Sequence, residues 1–321
     1  MKIVLPICLA LLSLLVKPVT GTAEEEKTVS VLYAGSLASV MENAIGPAFV
    51  KATGYQYQGE AQGSLGAAQM IRDHLRTPDV FISADPLVNL NLLMGQDGDI
   101  APWFIVVASS QLVLAYNPRS RFAAKFQDAS AHRTQWFEVL ETPGVRFGRG
   151  DPKIDPKGYR TLFLFSLAGK YHRRDDIPRM LGDPQNPAQV FPEVVLLARV
   201  ESGQLDAGIF YKHEILAHNL PYVDLPPEIN LGDPRFKDKY AQESYTTATG
   251  QHIHGAPILF TVTIPNSARH RGSALAFVQF LLTSNDLLQR FGFGNVEHQI
   301  GGDPTKLPPV LRGMTAGVFK P

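Results

Sequence analysis

Beyond its first two dozen residues, the chain alternates between short apolar runs and stretches in which apolar residues recur every third or fourth position. The run Thr28–Tyr33 has the β-branched and aromatic composition of a strand, and helical spacing of apolar residues begins directly after Ser36. The same change from strand pattern to helix pattern recurs at Ser64. The pattern therefore predicts two strand-to-helix turns, one at Gly35-Ser36 and one at Gly63-Ser64.

Further strand-like runs alternate with helical patterns along the rest of the chain. The runs DVFISA, WFIVVA and QLVLAY are bounded by turn or polar residues, and the alternation restarts around Pro118. After a polar stretch that makes a poor core, the strand-like PILFTVTIP and the helical GSALAFVQFLLT follow. This alternation predicts an α/β fold with mixed, mainly parallel sheets that are flanked by helices.

The order of these segments predicts two lobes with a ligand cleft between them. We assign residues 28–115 and 256–321 to lobe I and residues 116–255 to lobe II, which is then an insertion. Two crossing segments would join the lobes.

Residues 1–23 have the composition of a secretory signal peptide. Lys2 precedes an apolar run from Ile3 to Val16, and small residues close the segment at Ala23. The run is short for a membrane span, and Lys17 and Pro18 interrupt it. We therefore predict export with removal of this segment; an uncleaved membrane anchor is the alternative.

Charge and cysteine content narrow the function classes. The chain has 30 basic and 30 acidic residues, and without Lys2 and Lys17 the exported part would carry 28 against 30. This balance does not favour a nucleic-acid surface. The single cysteine, Cys8, lies in the predicted signal peptide, so the exported part would contain no disulfide and no cysteine-based metal site.

The two Gly-Ser pairs suit the binding of an anion. A helix start presents unpaired N–H groups and a partial positive charge, which attract anions. Gly35 and Gly63 allow the backbone to approach a ligand closely, and Ser36 and Ser64 add hydroxyl donors. The pairs are predicted to form two halves of an anion cradle. The alternative is that both serines simply cap their helices.

Five short motifs carry a resemblance to a known family. They are, in chain order, YAGSL, VRFG, DPKGYR, VESGQLD and IFYK, and the longer string VRFGRGDPKIDPKGYRTLF is the most specific part. Together they resemble the tungstate/molybdate-binding proteins of the WtpA and ModA type, and the archaeal-type branch most. The resemblance spans nearly the whole chain beyond the signal peptide. It implies a two-lobed, type II periplasmic binding protein fold.

The resemblance also implies which residues bind the ligand. The two serines that bind the oxyanion in the family match Ser36 and Ser64. Asp155 matches the aspartate before the Pro-x-Gly-Tyr-Arg turn, Glu193 matches a glutamate seven residues before VESG, and Tyr211 matches the tyrosine of the IYK-like strand end. Asp155 and Glu193 would then be carboxylate ligands of the molybdenum or tungsten centre.

Two carboxylates beside a dianion need a physical reason. Like charges about 4 Å apart at an effective dielectric constant near 20 repel by roughly 4 kcal/mol. Molybdenum and tungsten can become six-coordinate and bond carboxylate oxygens, which sulfur in sulfate cannot do. Alone, Asp155 would be interpreted as a turn-forming Asp-Pro, Glu193 as a first-turn helix acid and Tyr211 as a core aromatic. Lys157 replaces a small residue that the family often carries.

The prediction is a monomeric periplasmic or extracellular receptor of an ABC importer, which binds molybdate or tungstate and presents it to a membrane permease and its ATPase. It would need no cofactor, perform no chemistry and bind no nucleic acid. A site for sulfate, phosphate or another small anion is the alternative. A serine-dependent hydrolase is a third hypothesis, but the sequence contains no Gly-x-Ser-x-Gly elbow, Walker loop or His-Glu-x-x-His motif.

Overall fold

A computed structural model describes residues 27–94, 100–183, 186, 188–247, 250 and 252–320. The predicted signal peptide, residues 1–23, lies outside the described residues. Within the described part of the chain, no helix is both long enough and apolar enough to cross a membrane.

The strands of the described chain fall into two large sheets and one hairpin. In chain order they are β1 (Thr28–Ala34), β2 (Gln56–Gln62), β3 (Val80–Ser83), β4 (Trp103–Ser110), β5 (Leu112–Tyr116), β6 (Phe147–Gly150), β7 (Val190–Phe191), β8 (Ala207–Tyr211), β9 (Tyr222–Asp224), β10 (Ser244–Thr246), β11 (His252–His254), β12 (Ile258–Thr263) and β13 (Ile300–Gly302). The strand order is β13-β4-β12-β3-β1-β2 in the six-stranded sheet and β7-β6-β8-β5-β9 in the five-stranded sheet, and β10 pairs with β11.

Helices connect these strands and pack against the sheets. They are α1 (Ala38–Val40), α2 (Gly46–Thr53), α3 (Ser64–Arg72), α4 (Pro86–Val88), α5 (Ala123–Ser130), α6 (Trp136–Leu140), α7 (Pro156–His172), α8 (Ile177–Leu181), α9 (Glu193–Glu201), α10 (Lys212–Ala217), α11 (Lys237–Tyr240), α12 (Arg271–Leu282), α13 (Asn285–Arg290) and α14 (Pro309–Arg312). Short 3-10 turns lie at Gly35–Leu37, Pro234–Phe236 and Pro304–Lys306, and π-helical segments lie at Met41–Ile45 and Asn89–Leu93. Both predicted strand-to-helix turns are confirmed, because β1 leads into Gly35–Leu37 and β2 into α3.

The two-lobed α/β fold with mixed sheets is confirmed. In the six-stranded sheet β1 pairs in parallel with β2 and β3, whereas β12 lies antiparallel between β3 and β4. In the five-stranded sheet β6 is parallel to β7 and β8, and β5 is antiparallel to β8 and β9. Among the described strands of these two sheets, five pairs are antiparallel and four are parallel, so the expectation of mainly parallel sheets is wrong. The antiparallel pairs arise where β5 enters lobe II and where β12 and β13 return to lobe I.

The first crossing between the lobes corrects the predicted boundary. β5 was assigned to lobe I, but it pairs with β8 and β9 in the sheet of lobe II. Only Gln111 separates it from β4, which belongs to the other sheet. The crossing therefore lies at Gln111 rather than after residue 115. Both strands are buried apolar runs, so their sequence pattern does not indicate which sheet each joins.

A buried core supports the ends of the strands that lead to the site. β1, β3, β4 and β5 are almost fully buried, as is the face of α7 that packs on β6. A second cluster joins α9 to β5 and β8 through Leu196, Val200 and Phe210. These contacts fix the turns at the ends of β1, β2 and β8 and the starts of α7 and α9.

Candidate functional site

Two glycines show how closely the lobes approach each other at the site. A Cβ atom on Gly35 would lie 2.9 Å from Glu193 Oε2, and one on Gly63 would lie 2.7 Å from the carbonyl oxygen of Ile154, next to Asp155. Only glycine fits at these separations without displacing a neighbour. The structure therefore places the first Gly-Ser turn against Glu193 and the second against Asp155, across the interface of the lobes.

Neither serine caps its helix, so the capping alternative is wrong. Ser36 is buried, and its Oγ has no hydrogen-bond partner among the described residues. Ser64 is fully buried, and its Oγ accepts a hydrogen bond from Ala84 N at 3.0 Å. A hydroxyl that accepts one bond can still donate its own proton. Both hydroxyls are thus available as donors on the lobe I side of the site.

Asp155 has one oxygen in use and one without a partner. It caps α7, with Oδ1 accepting a hydrogen bond from Lys157 N at 2.8 Å, while Oδ2 has no partner within the described chain. The side chain is buried. Burial, and then the negative charge of Glu193, raise the pKa of Asp155 well above its ordinary value. The turn-forming interpretation therefore accounts for only half of this carboxylate.

Glu193 is the least satisfied carboxylate of the site. It is the first residue of α9 and only 4% exposed, and both of its oxygens lack a hydrogen bond in the described structure. Oε1 lies 3.2 Å from Lys157 Nζ, which is an ion-pair distance, although the geometry does not make a hydrogen bond. Buried polar atoms without partners are rare and destabilising, and such atoms are typical of functional sites.

Tyr211 ends β8 and reaches the site through a hydrogen-bonded chain. Its hydroxyl accepts a bond from Arg160 Nη1 at 2.8 Å, and the same nitrogen donates to the carbonyl oxygen of Ala84 at 2.6 Å. Since Ala84 N donates to Ser64, this chain links Tyr211 to the second Gly-Ser turn. Burial raises the pKa of Tyr211 far above its ordinary value, so the hydroxyl keeps a proton that it can donate.

A buried lysine and glutamate form part of the site that the sequence analysis missed. Lys157 is fully buried, and its Nζ donates to both oxygens of Glu214, at 2.8 and 3.0 Å. Glu214 also accepts a hydrogen bond from Tyr211 N at 2.9 Å. Burial lowers the pKa of Lys157, but the surrounding carboxylates outweigh it and raise the pKa overall. In the sequence, Lys157 stands out only as a replacement for the small residue that the family often carries in this turn. Nothing in the sequence around Glu214 indicates a role in the site.

Three residues join the lobes beside the site. Asp85, which precedes α4 in lobe I, accepts hydrogen bonds at Oδ2 from the Tyr159 hydroxyl at 2.6 Å and from Arg160 Nη2 at 2.8 Å. All three side chains are buried. The start of α7 in lobe II is therefore held directly on the turn after β3 in lobe I.

His213 makes a second connection between the lobes. Its Nε2 lies 3.1 Å from the carbonyl oxygen of Ser36, and its Nδ1 lies 2.9 Å from Ser110 Oγ. A carbonyl oxygen only accepts, so Nε2 carries the proton. Burial lowers the pKa of His213 to about 3, which keeps the ring neutral. The ring stacks on Phe293 with centroids 4.0 Å apart, which holds it in place. Its bond to the carbonyl oxygen of Ser36 then holds the backbone of the first Gly-Ser turn.

An arginine-lined cavity of about 610 Å³ on lobe II is a separate feature. Its Arg146 is paired with Asp206 at 3.2 Å, and Arg119 donates to the Glu201 carbonyl oxygen at 3.0 Å. These cations are partly exposed and already have partners. The cavity therefore differs from the interlobe site, where buried groups have unused capacity.

Known proteins resemble this chain over most of its length. Residues 29–294 match a family described as bacterial extracellular solute-binding protein. The chain is 34% identical over 277 residues to a putative ABC transporter molybdenum-binding protein of Haloferax volcanii, covering 85% of this chain and 83% of that protein. It is 31% identical over 319 residues to the molybdate/tungstate-binding protein WtpA of Thermococcus kodakarensis, covering 88% of each.

A solved structure supports the same fold. The periplasmic molybdate-binding protein of Azotobacter vinelandii superimposes with a TM-score of 0.57 over 84% of this chain and 100% of that chain. The two sequences are 16% identical, so this similarity concerns the fold alone.

Proposed function

Because this chain belongs to the family of bacterial extracellular solute-binding proteins, we propose that it captures molybdate or tungstate between its two lobes. Membership of this family implies a periplasmic or extracellular location, and the family is one of binding proteins rather than of enzymes. The bound oxyanion would pass to the permease and ATPase of an ABC importer, without a cofactor or a chemical step.

One observation carries this proposal. Three carboxylate oxygens, Asp155 Oδ2 and both oxygens of Glu193, are buried and have no hydrogen-bond partner within the described residues. A ligand with oxygen atoms on its whole surface would place like partial charges against them. A central metal atom that accepts two further oxygen ligands would instead bond to one oxygen of each carboxylate. The site therefore suits an expandable metal oxyanion, while the Ser36, Ser64 and Tyr211 hydroxyls suit its oxo groups.

Sulfate or phosphate suits the site less well. The raised pKa of Asp155 would let this one carboxyl group keep a proton and donate it to an oxygen of such an anion. Glu193 Oε2, which has no hydrogen-bond partner among the described residues, would still face the anion without a proton between them. Repulsion between a dianion and one carboxylate about 4 Å away is roughly 8 kcal/mol at an effective dielectric constant of 20.

The names of two relatives agree with this proposal. The protein of Haloferax volcanii is named for molybdenum, and that of Thermococcus kodakarensis for molybdate and tungstate. The residues that make the site in this chain lie within the matched region of residues 29–294.

Titration calorimetry of the purified protein with tungstate, molybdate, sulfate and phosphate tests the proposal. We expect tight one-to-one binding of tungstate and molybdate and no heat with sulfate. Glu193→Gln should weaken tungstate binding at least tenfold, about 1.4 kcal/mol, because it removes a metal ligand. The control is Glu201→Gln, since Glu201 ends the same helix on its exposed side. Equal binding of sulfate, or an unaffected Glu193→Gln variant, would contradict the proposal.

A further inference from the structure

In the buried Lys157–Glu214 pair, Glu214 also caps α10 by accepting a hydrogen bond from Tyr211 N, whereas the side-chain hydrogen bonds of Lys157 within the described chain go to Glu214 alone. A lysine in a fully buried position is expensive to desolvate, and apolar residues of similar volume usually stabilise a protein as well as a buried ion pair does. Lys157 nevertheless lies at the second position of α7 and is fully buried, with its ammonium bonded to Glu214 of α10. Its ammonium also lies 5.3 Å from the Phe210 ring centroid and 5.5 Å from that of Tyr211.

The two oxygens of Glu193 have different surroundings because the Lys157 ammonium lies near only one of them. Lys157 Nζ donates to both oxygens of Glu214, and lies 3.2 Å from Glu193 Oε1. On the other side, Glu193 Oε2 lies 2.9 Å from the position of a Cβ on Gly35. Oε1 thus faces the lysine in lobe II, and Oε2 faces the first Gly-Ser turn in lobe I.

From this geometry we propose that Lys157, anchored by Glu214, is a positioning residue that sets the specificity of the oxyanion site. It holds Glu193 Oε1 and leaves Oε2 as the single oxygen that binds the metal centre. Its charge also offsets one of the three buried carboxylates, Asp155, Glu193 and Glu214, which lowers the repulsion that a dianion meets on entry. This inference rests on the proposed function of the site.

The consequence is selectivity for an oxyanion whose centre accepts a carboxylate oxygen. A carboxylate that is free to rotate would present either oxygen and would fit a six-coordinate metal less well. Productive binding depends on geometry held within about 0.5 Å by surrounding groups. Lys157 holds Glu193 in this geometry through its ion pair with Oε1, the oxygen that does not bind the ligand.

The double variant Lys157→Met/Glu214→Gln tests this role. It removes one positive and one negative charge together, so Glu214 is not left as an unpaired buried carboxylate, and the ion pair that Glu193 loses is the interaction under test. We expect at least tenfold weaker molybdate binding by calorimetry. X-ray absorption at the molybdenum K-edge should show six-coordinate metal bound to the wild type and a lower coordination number in the variant. Lys212→Met is the control, because Lys212 pairs with Asp224 on the partly exposed side of α10.

The outcomes separate this proposal from the function on which it rests. If the wild type binds neither tungstate nor molybdate, the proposed function fails. If the wild type binds and the double variant keeps its affinity or its metal coordination, Lys157 has no positioning role. A variant that does not fold is replaced by Lys157→Gln/Glu214→Gln, which keeps a neutral donor at residue 157. For it we expect six-coordinate metal with at least tenfold lower affinity, and unchanged affinity would overturn the proposal.

Discussion

Replacing Asp155 by asparagine should stabilise the ligand-free protein at neutral pH. Asparagine is nearly isosteric and caps helices about as well as aspartate, so the bond from Lys157 N to the side chain can be kept. The substitution removes a buried charge whose second oxygen has no partner among the described residues. It should therefore abolish a stability cost that the folded protein carries for its ligand site.

The pH dependence of stability gives the sign and the upper limit of the stability gain from Asp155→Asn. In the folded protein the pKa of Asp155 is raised, by burial first and by Glu193 second, so the folded protein holds this proton more tightly than the unfolded chain, whose pKa is near 3.8. Stability is then lost as pH rises above that value, by about 1.4 kcal/mol for each pH unit in which only the folded protein is protonated. Between pH 3.8 and pH 7 the loss has a ceiling of about 4 kcal/mol.

Thermal unfolding of wild type and Asp155→Asn from pH 4 to pH 7 measures this difference. The melting temperatures should agree near pH 4, and the variant should melt higher as pH rises, by about 2 to 4 °C per kcal/mol. The same variant should bind tungstate at least tenfold more weakly, about 1.4 kcal/mol, since it loses the carboxylate that we propose as a ligand. A variant that melts lower than wild type at pH 7, or a difference that does not change with pH, would refute the reasoning.

Asp79→Asn is the matched control with the opposite sign. Asp79 is equally buried, but it accepts hydrogen bonds from Ser30 N at 2.9 Å and His270 N at 2.8 Å. Burial acts to raise the pKa of Asp79, and these bonds outweigh it and lower the pKa. Its stabilising contribution is therefore present above pH 3.8 and lost as pH falls through the lowered pKa. The variant should lose about 1.5 to 3 kcal/mol at pH 7 and progressively less toward acid pH.

Two further substitutions test the contacts between the lobes. Gly63→Ala should weaken tungstate binding at least tenfold, about 1.4 kcal/mol, because its Cβ would meet Ile154 O. Gly66→Ala, with open space around its Cβ, should leave binding unchanged, and calorimetry on both variants tests this steric explanation. Tyr159→Phe should lower the free energy of unfolding by about 1 to 3 kcal/mol, because Asp85 loses a buried hydrogen bond. An unchanged urea midpoint would show that this bond does not hold the lobes together.

The parts of the site that could be predicted are those set by local sequence. Ser36 and Ser64 follow strands and open helical patterns, so the turns were evident from periodicity. Asp155, Glu193 and Tyr211 came from the resemblance, and the structure places all three as buried groups at the interlobe site. Their roles as ligands stay predictions.

The parts that could not be predicted depend on pairing between distant segments. Glu214 lies 57 residues from Lys157, and nothing within α10 distinguishes this acid from one on a solvated helix face. Asp85 reads locally as a helix cap, which it is, and its bonds to Tyr159 and Arg160 arise only when the lobes meet. The sheet that β5 joins is likewise decided by partners far along the chain.

The one-residue crossing at Gln111 limits how the protein can open. Leu112 N donates to Asn230 O and Ile258 N donates to Leu231 O, so residues 230–231 bridge the outgoing and returning segments, which also pair directly at Ser110 and Ile258. We expect any separation of the lobes to pivot at these segments, because Gln111 alone lies between β4 and β5 and few backbone dihedral angles can change there. The displacement of any group grows with its distance from that pivot. Ser110 is adjacent to Gln111, so we expect its contact with His213 to change little while contacts far from the pivot separate. Release of the solute would then begin at the contacts that lie farthest from Gln111.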